Sequence, residues 1–200
     1  MNDAQFFKAL ALIQLNDVSG ALKALGAVGP STNYPRALQE AAAILVSRGD
    51  IGAANAFFEE HRKVHTDGAE LNFALHAETL QTLGSIEAES VLSRGISAFP
   101  TSTRLLFARA NFRERAGFFD LAEADYRRIL SLNPGDANAL NALGYALTNN
   151  TDRFQEAAGL LEEAISKDPR NPAIIDSLGW VYFKLGKDRQ AELLLKEAYK

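Results

Sequence analysis

The sequence of 200 residues contains no cysteine, which excludes disulfides, thiolate nucleophiles and every cysteine-containing metal site. That absence leaves the compartment open, because proteins on either side of a membrane can lack cysteine. Long apolar runs are also missing. The longest is Ala41 to Val46, far short of the roughly 20 residues that cross a bilayer, so no direct membrane insertion of this segment is expected. The stretch Met1 to Leu15 has some apolar character, but Asp3 stands where a signal peptide carries positive charge and Lys8 interrupts the run. It reads as a folded helix. Positive charge is in deficit: 21 Lys and Arg against 25 Asp and Glu leave a balance of −4, which does not attract phosphate backbones or anionic lipid. The deficit lies in residues 1–100, with 7 basic and 11 acidic side chains, whereas residues 101–200 carry 14 of each. Glycine (14) and proline (6) are too sparse for a linker or a collagen, and they fall at intervals.

What is present is a periodicity. With 47% hydrophobic and 23% charged residues the composition is that of a chain that folds in water. Small residues recur at Ala9, Ala42, Ala77, Ala110, Gly144 and Gly179, and again at Ala21, Ala54, Ala88, Ala122, Ala157 and Ala191, each series with a mean spacing of 34. Apolar residues at spacings of three and four lie on both sides of a break in each unit, as in Ile174, Ile175, Leu178, Val181 and Leu185, then Ala191, Leu194, Leu195 and Ala198. Each unit is therefore expected to be a helical hairpin. The break calls for a left-handed residue past a helix end, and Asn16, Gly49, Gly84, Gly117 and Gly186 hold equivalent places. The fifth unit has Asn149-Asn150-Thr151-Asp152 there, where an Asn is expected to adopt the left-handed conformation and Thr151 or Asp152 to cap the next helix. Pro100, Pro134 and Pro169 mark unit ends, and Tyr34-Pro35 and Asn171-Pro172 place proline in a first helical turn. The small residues are expected where the two helices of a hairpin cross.

The run Ala139-Leu140, Leu143-Gly144, Leu147, Ala157, Leu161, Ala164-Ile165 and Pro169, with Leu178-Gly179-Trp180, Tyr182, Gly186, Ala191, Leu195 and Ala198, resembles two tandem tetratricopeptide repeats. The unit with Ala110, Gly117, Ala122, Tyr126 and Pro134 resembles the family too, although Arg109 and Arg113 stand where it prefers apolar residues, which implies a shifted or partly exposed first helix. The resemblance implies an all-α fold, an α-α hairpin repeat solenoid coiled as a right-handed superhelix. About six hairpins, at 2–30, 34–66, 69–100, 102–134, 136–169 and 171–200, would form one array over residues 1–200. Within residues 100–200, the stretches Leu140-Asn141-Ala142-Leu143-Gly144-Tyr145 and Asp176-Ser177-Leu178-Gly179-Trp180-Val181-Tyr182 are similar to bacterial envelope lipoproteins built of these repeats. Some of those act as adaptors for a carboxy-terminal processing protease. That narrower resemblance implies a periplasmic array, anchored at the outer membrane in a longer protein, with a cytoplasmic location otherwise. Lys200 falls inside the sixth hairpin's second helix with no polar capping helix after it, so a longer natural chain is expected, or homo-association through this uncapped C-terminal helix, where Leu194, Leu195, Ala198 and Tyr199 are only partly covered.

Residues with catalytic chemistry do not converge in the sequence. His61 and His65 have the spacing of a two-His metal pair, but the segment between them lacks the Glu of H-E-x-x-H, so they and His76 are expected to be ordinary exposed or half-buried residues. Adjacent carboxylates such as Glu59-Glu60 and Glu162-Glu163 point about 100° apart on a helix and do not flank one bond. Neither a catalytic site nor a metal or cofactor is expected. The basic cluster Arg104, Arg109, Arg113, Arg115, Arg127 and Arg128 is expected to be neutralised by Glu114, Glu123 and Asp125, without nucleic acid as a partner.

By the family's register, the groove face of the first helices carries Arg104, Phe107, Asn111, Asn138, Asn141, Tyr145, Asp176, Trp180 and Phe183. Asn both donates and accepts, so it can hold an extended peptide backbone, and the aromatics supply apolar anchors. The pattern with which one subclass grips a terminal carboxylate is not reproduced, since Phe107, Ala142 and Ala173 hold those places. The expected function is a protein-protein interaction scaffold or adaptor that binds a protein or peptide partner, with the processing protease or its substrates as the narrower partner. The alternative is a self-assembly module that forms homo-oligomers through its ends.

Overall fold

The computed structural model describes residues 2–198. All regular structure among them is helical: α1 (Asn2–Gln14), α2 (Val18–Gly26), α3 (Tyr34–Arg48), α4 (Ile51–Val64), α5 (Ala69–Thr82), α6 (Glu87–Ala98), α7 (Thr103–Arg115), α8 (Phe119–Leu132), α9 (Ala137–Asn150), α10 (Phe154–Lys167), α11 (Pro172–Lys184) and α12 (Asp188–Ala198). No helix among the described residues is long and apolar enough to cross a membrane. The fold packs as two units, Met1–Ala108 and Arg109–Lys200, with the division inside α7.

The turns follow the local chemistry. Asn16, Gly49, Gly84, Gly117 and Gly186 have φ values of 62°, 65°, 73°, 81° and 71°, the left-handed region that ends a helix and reverses the chain. Asp17, Asp50 and Asp136 then cap the following helices by accepting from the backbone N–H of Gly20, Ala53 and Ala139. Asn171 caps α11 ahead of Pro172 in the same way, accepting from the N–H of Ala173. The fifth turn corrects the sequence expectation. Among the described residues Asn16 is the one non-glycine residue with positive φ, and α9 stays helical through Asn150. Asn150 Nδ2 instead donates to the Ala146 carbonyl, and Thr151 Oγ1 accepts from the Arg153 N–H at 3.1 Å without capping α10 as its first residue.

In unit 1, α1 packs on α2, α2 on α3, α3 on α4 and α5, and α5 on α4 and α6. Its first core joins Phe6, Ala9, Ala24, Leu25, Val28, Ala37 and Ala41. Ala42, the second member of the first small-residue series, is only half-buried; Ala41 beside it takes the buried place. In unit 2, α8 packs on α9, α9 on α10 and α11, and α11 on α10 and α12. Leu140, Ala164 and Ile174 close the core between successive hairpins.

Within a hairpin the contact is close. A Cβ added to Gly144 would stand 2.6 Å from Leu161 Cγ and 3.2 Å from the Ala157 carbonyl oxygen, and one added to Gly179 would stand 2.9 Å from Leu195 Cγ. All six members of the second small-residue series, Ala21 to Ala191, are buried. Burial is unequal between the two helices. On α9 Ala139, Leu140, Leu143, Gly144, Ala146, Leu147 and Thr148 are buried, whereas α10 buries the single stripe Ala157, Ala158, Leu161 and Ala164. The first helix of the hairpin is thus the inner one, with one narrow face left open.

Gly179→Leu and Ala157→Leu overpack these crossings and are expected to lower stability by about 1–3 kcal/mol each in chemical denaturation. Gly159 gives the internal control, because a Cβ there meets nothing within 4 Å, and Gly159→Ala is expected to raise stability by about 0.5–1 kcal/mol through helix propensity.

Candidate functional site

The open face of α9 carries Asn138, Tyr145 and Asn149, all exposed, and half-buried Asn141. These positions, spaced three and four apart, share one side of the helix. On α11 the corresponding face carries half-buried Asp176 and Trp180, with Phe183 53% exposed at its end. Both helices pair with α10 as hairpin neighbours, so they run parallel, and they pack on each other directly. One side-chain bond joins their open faces: Trp180 Nε1 donates to Asn149 Oδ1 at 3.0 Å. The indole also stacks on Phe183, with centroids 5.6 Å apart and planes at 19°, and Lys184 Nζ lies 4.7 Å from its centroid. The result is a fixed aromatic platform beside a row of carboxamides. Asn141 Oδ1 is buried with no hydrogen-bond partner among the described residues, an acceptor left without a donor.

Six of the nine sequence candidates therefore share one surface, Asn138, Asn141 and Tyr145 on α9 with Asp176, Trp180 and Phe183 on α11. Asn149, which sequence reasoning assigned to a turn, belongs with them. Asn111 is half-buried, and its Oδ1 lies 2.7 Å from the Tyr126 hydroxyl, which is also 2.9 Å from Glu114 Oε2. Burial pushes the Tyr126 phenol up, reinforced by Glu114, so it stays a donor. Arg104 (exposed) and Phe107 (half-buried) lie in unit 1.

Three arginines of the basic cluster, Arg109, Arg113 and Arg127, are neutralised internally, two of them more deeply than the sequence indicated. Asp125 is buried on α8 and receives Arg109 in a two-pronged bond, Nε to Oδ2 at 2.9 Å and Nη2 to Oδ1 at 2.7 Å, with Arg113 Nη1 on Oδ2 at 2.8 Å. The two arginines at apolar positions of the repeat thus leave α7 neither shifted nor exposed there; their side chains stay 14% and 13% exposed over a buried carboxylate. Arg127 and Arg153 bridge Glu123 and Glu156 at the surface between α8 and α10. Those cations hold both carboxyls below the usual range, Glu123 chiefly through Arg153 and Glu156 chiefly through Arg127.

The histidines correct the expectation of exposed or half-buried side chains. His61 and His76 are buried, and His65 alone is half-buried. His61 Nε2 donates to the Val28 carbonyl at 3.2 Å, and its Nδ1 accepts from Asn72 Nδ2 at 3.3 Å. Arg62 Nη1 donates to Asn72 Oδ1 and to His76 Nδ1, while His76 Nε2 donates to Asn55 Oδ1 at 2.8 Å. Asn55 Nδ2 in turn reaches Glu87 Oε2 at 2.7 Å. Both imidazoles are thus held neutral, each with a donor aimed at its unprotonated nitrogen. Burial, then the neighbouring charge of His65, pushes His61 down to about 4; burial, then Arg62, pushes His76 down to about 3. Arg62 itself lies over the Phe73 ring, 4.3 Å to the centroid, and burial lowers it to about 10. Sequence spacing showed the His61/His65 pair but not Asn72, Asn55 or Val28, which complete this network from other elements.

Stacked helical hairpins with an open inner-helix face define a class, the helical repeat proteins. Tetratricopeptide repeat profiles match residues 107–172 and 151–198. Over 183 residues the chain is 31% identical to a TPR repeat-containing protein of Pseudomonas aeruginosa, and over 172 residues 27% identical to bacteriophage adsorption protein A of Escherichia coli. These cover 91% and 86% of the chain, which spans 31% and 17% of the length of those relatives. Among solved structures it is similar to MamA of Desulfovibrio magneticus, with a TM-score of 0.65, 16% identity, and 82% and 93% of the two chains covered. A tetratricopeptide repeat protein of Parabacteroides merdae gives a TM-score of 0.65 at 18% identity, covering 99% and 78%. YrrB, described as a TPR protein with an unusual peptide-binding site, gives 0.60 at 18%, covering 81% and 83%. The profile matches and the Pseudomonas relative support the tetratricopeptide repeat family for this chain, and the structures share its α-α hairpin fold. Proteins of this family mediate protein-protein interaction and are typically scaffolds without catalysis.

Two expectations follow from the buried polar groups. Because His61 and His76 titrate lower folded than unfolded, the unfolded chain takes up protons first, and stability is complete above pH about 6.5 and lost as pH falls below it. Urea midpoints measured across that range should fall with acid, with a shallower slope in His76→Gln. Asp125→Ala removes the buried carboxylate that Arg109 and Arg113 share and is expected to cost about 3–5 kcal/mol in urea denaturation, against at most about 1 kcal/mol for Glu156→Gln in the surface network.

Proposed function

We propose that this chain is a scaffold that docks a protein or peptide on the α9/α11 face. The observation that carries the reading is the stripe left open on helices otherwise buried on two sides. It combines carboxamides at Asn138 and Asn141 with the ordered aromatic platform of Trp180 and Phe183. Carboxamides can hold a peptide backbone whatever its side chains, and a ring already fixed by Asn149 loses little entropy on binding. Within that reading, the similarity of residues 100–200 to envelope lipoproteins supports a finer proposal: an adaptor for a carboxy-terminal processing protease or its substrates, acting in the periplasm as part of a longer protein. A second reading, self-assembly, draws on α12, where Leu193 is 65% exposed and Leu194, Leu195 and Ala198 are half-buried; Tyr199 lies outside the described residues.

The test is selection of peptides from a random display library on the purified chain, followed by binding measurements with the selected sequences. Trp180→Ala with Asn141→Ala is expected to remove binding, while Glu163→Ala on exposed α10 leaves it intact. Selected peptides that bind the double variant unchanged would refute the docking face. Co-sedimentation with a purified carboxy-terminal processing protease tests the finer proposal, and sedimentation of the chain alone across concentration separates it from self-assembly.

A further inference from the structure

The charge pattern of the α9/α11 face points to the chemistry of its occupant. From Ala137 to Asn150, α9 carries no charged side chain at all. The acidic group of the face is Asp176, half-buried on α11, and among the described residues it forms no hydrogen bond or ion pair. By the spacing of Gly144 and Gly179, Tyr145 of α9 is the counterpart of Trp180 and Asn141 the counterpart of Asp176. Trp180 follows Asp176 by four residues and shares its side of α11.

Among the described residues no cation of unit 2 forms an ion pair with Asp176. Arg109 and Arg113 are held by Asp125, Arg127 and Arg153 by Glu123 and Glu156, and Lys196 by Glu192. Lys184, on the same side of α11, sits over the Trp180 ring two helical turns away from Asp176. A half-buried carboxylate on a partly apolar face attracts a cation more strongly than one in open solvent.

We propose that the α9/α11 face selects extended peptide segments bearing a lysine or arginine side chain, seated on Asp176 one helical turn from Trp180. The proposal rests on that face being the docking surface, and it adds the class of side chain recognised there. Asp176 supplies the counter-charge, and the carboxamides of Asn138 and Asn141 bond the peptide backbone on the α9 side.

The probe is the same random peptide library, panned in parallel on the 200-residue chain, on Asp176→Asn and on Trp180→Ala, with circular dichroism confirming that each is folded. Peptides selected on the unaltered chain are expected to carry Lys or Arg at one recurrent position. Asp176→Asn should lose that enrichment and bind the best peptide about three- to tenfold more weakly. The same peptide with norleucine in place of its lysine should bind both forms alike. Selected peptides without a recurrent basic position, or a lysine peptide that binds Asp176→Asn unchanged, would overturn the proposal while leaving the docking face standing provided Trp180→Ala still abolishes binding. If Trp180→Ala binds the peptides as well as the unaltered chain, or if no peptide is selected, both the docking face and the cation preference are rejected.

Discussion

The close approach of two helices within a hairpin is the constraint on which the rest depends. At Gly144 even a methyl group would meet Leu161 and the Ala157 backbone, so the pair is as near as backbones allow. That proximity lets Leu161 fill the space over Gly144 and leaves no gap for a second layer of side chains. The first helix of each such pair is then covered by its own partner on one side and by the next hairpin on another, as the burial of Leu140 against Ala164 and Ile174 shows. The remaining stripe, too narrow to be buried and too ordered to be a loop, is where side chains are free to serve binding. The open stripe on α9 and α11, the face proposed for docking, is therefore a geometric residue of the packing rule.

Apolar packing is not the only way the hairpins close. In unit 1, His61 and His76 occupy fully buried places, and each has its hydrogen bonds satisfied by Val28, Asn72, Arg62 and Asn55. In unit 2, Asp125 anchors two arginines on α7 where repeats of the family carry apolar residues. Such groups contribute little net stability compared with a hydrophobic core, but each tolerates only one arrangement, because a shifted register would strand a buried charge or donor.

What the sequence made legible is what local physics decides. Five left-handed turns, the prolines at helix ends and both small-residue series can be read because each depends on a residue's own backbone or size. The partners of buried polar groups could not be read. Arg109 reaches Asp125 sixteen residues away and His61 reaches Val28 thirty-three away, and spacing carries no record of which acceptor a donor finds. An arginine at an apolar position suggests exposure unless its carboxylate is known. Half-burial of Ala42 has the same origin, since α3 packs on α5 as well as on α4, and that choice lies outside its own hairpin.

The fifth turn shows how a local departure shapes the candidate site. Had Asn149 adopted the left-handed conformation that its sequence position suggests, its side chain would have left the face of α9 and turned with the loop. Asn150 instead bonds back to Ala146, and Thr151 Oγ1 to the Leu147 carbonyl beside its own backbone N–H, which ties down the last turn without a glycine. The helix therefore persists one step beyond Asn149, which remains four residues from Tyr145 and on its side. From there its Oδ1 reaches the Trp180 indole in the next hairpin. A hairpin that lacks the usual turn residue thus supplies the bond that orders the aromatic platform.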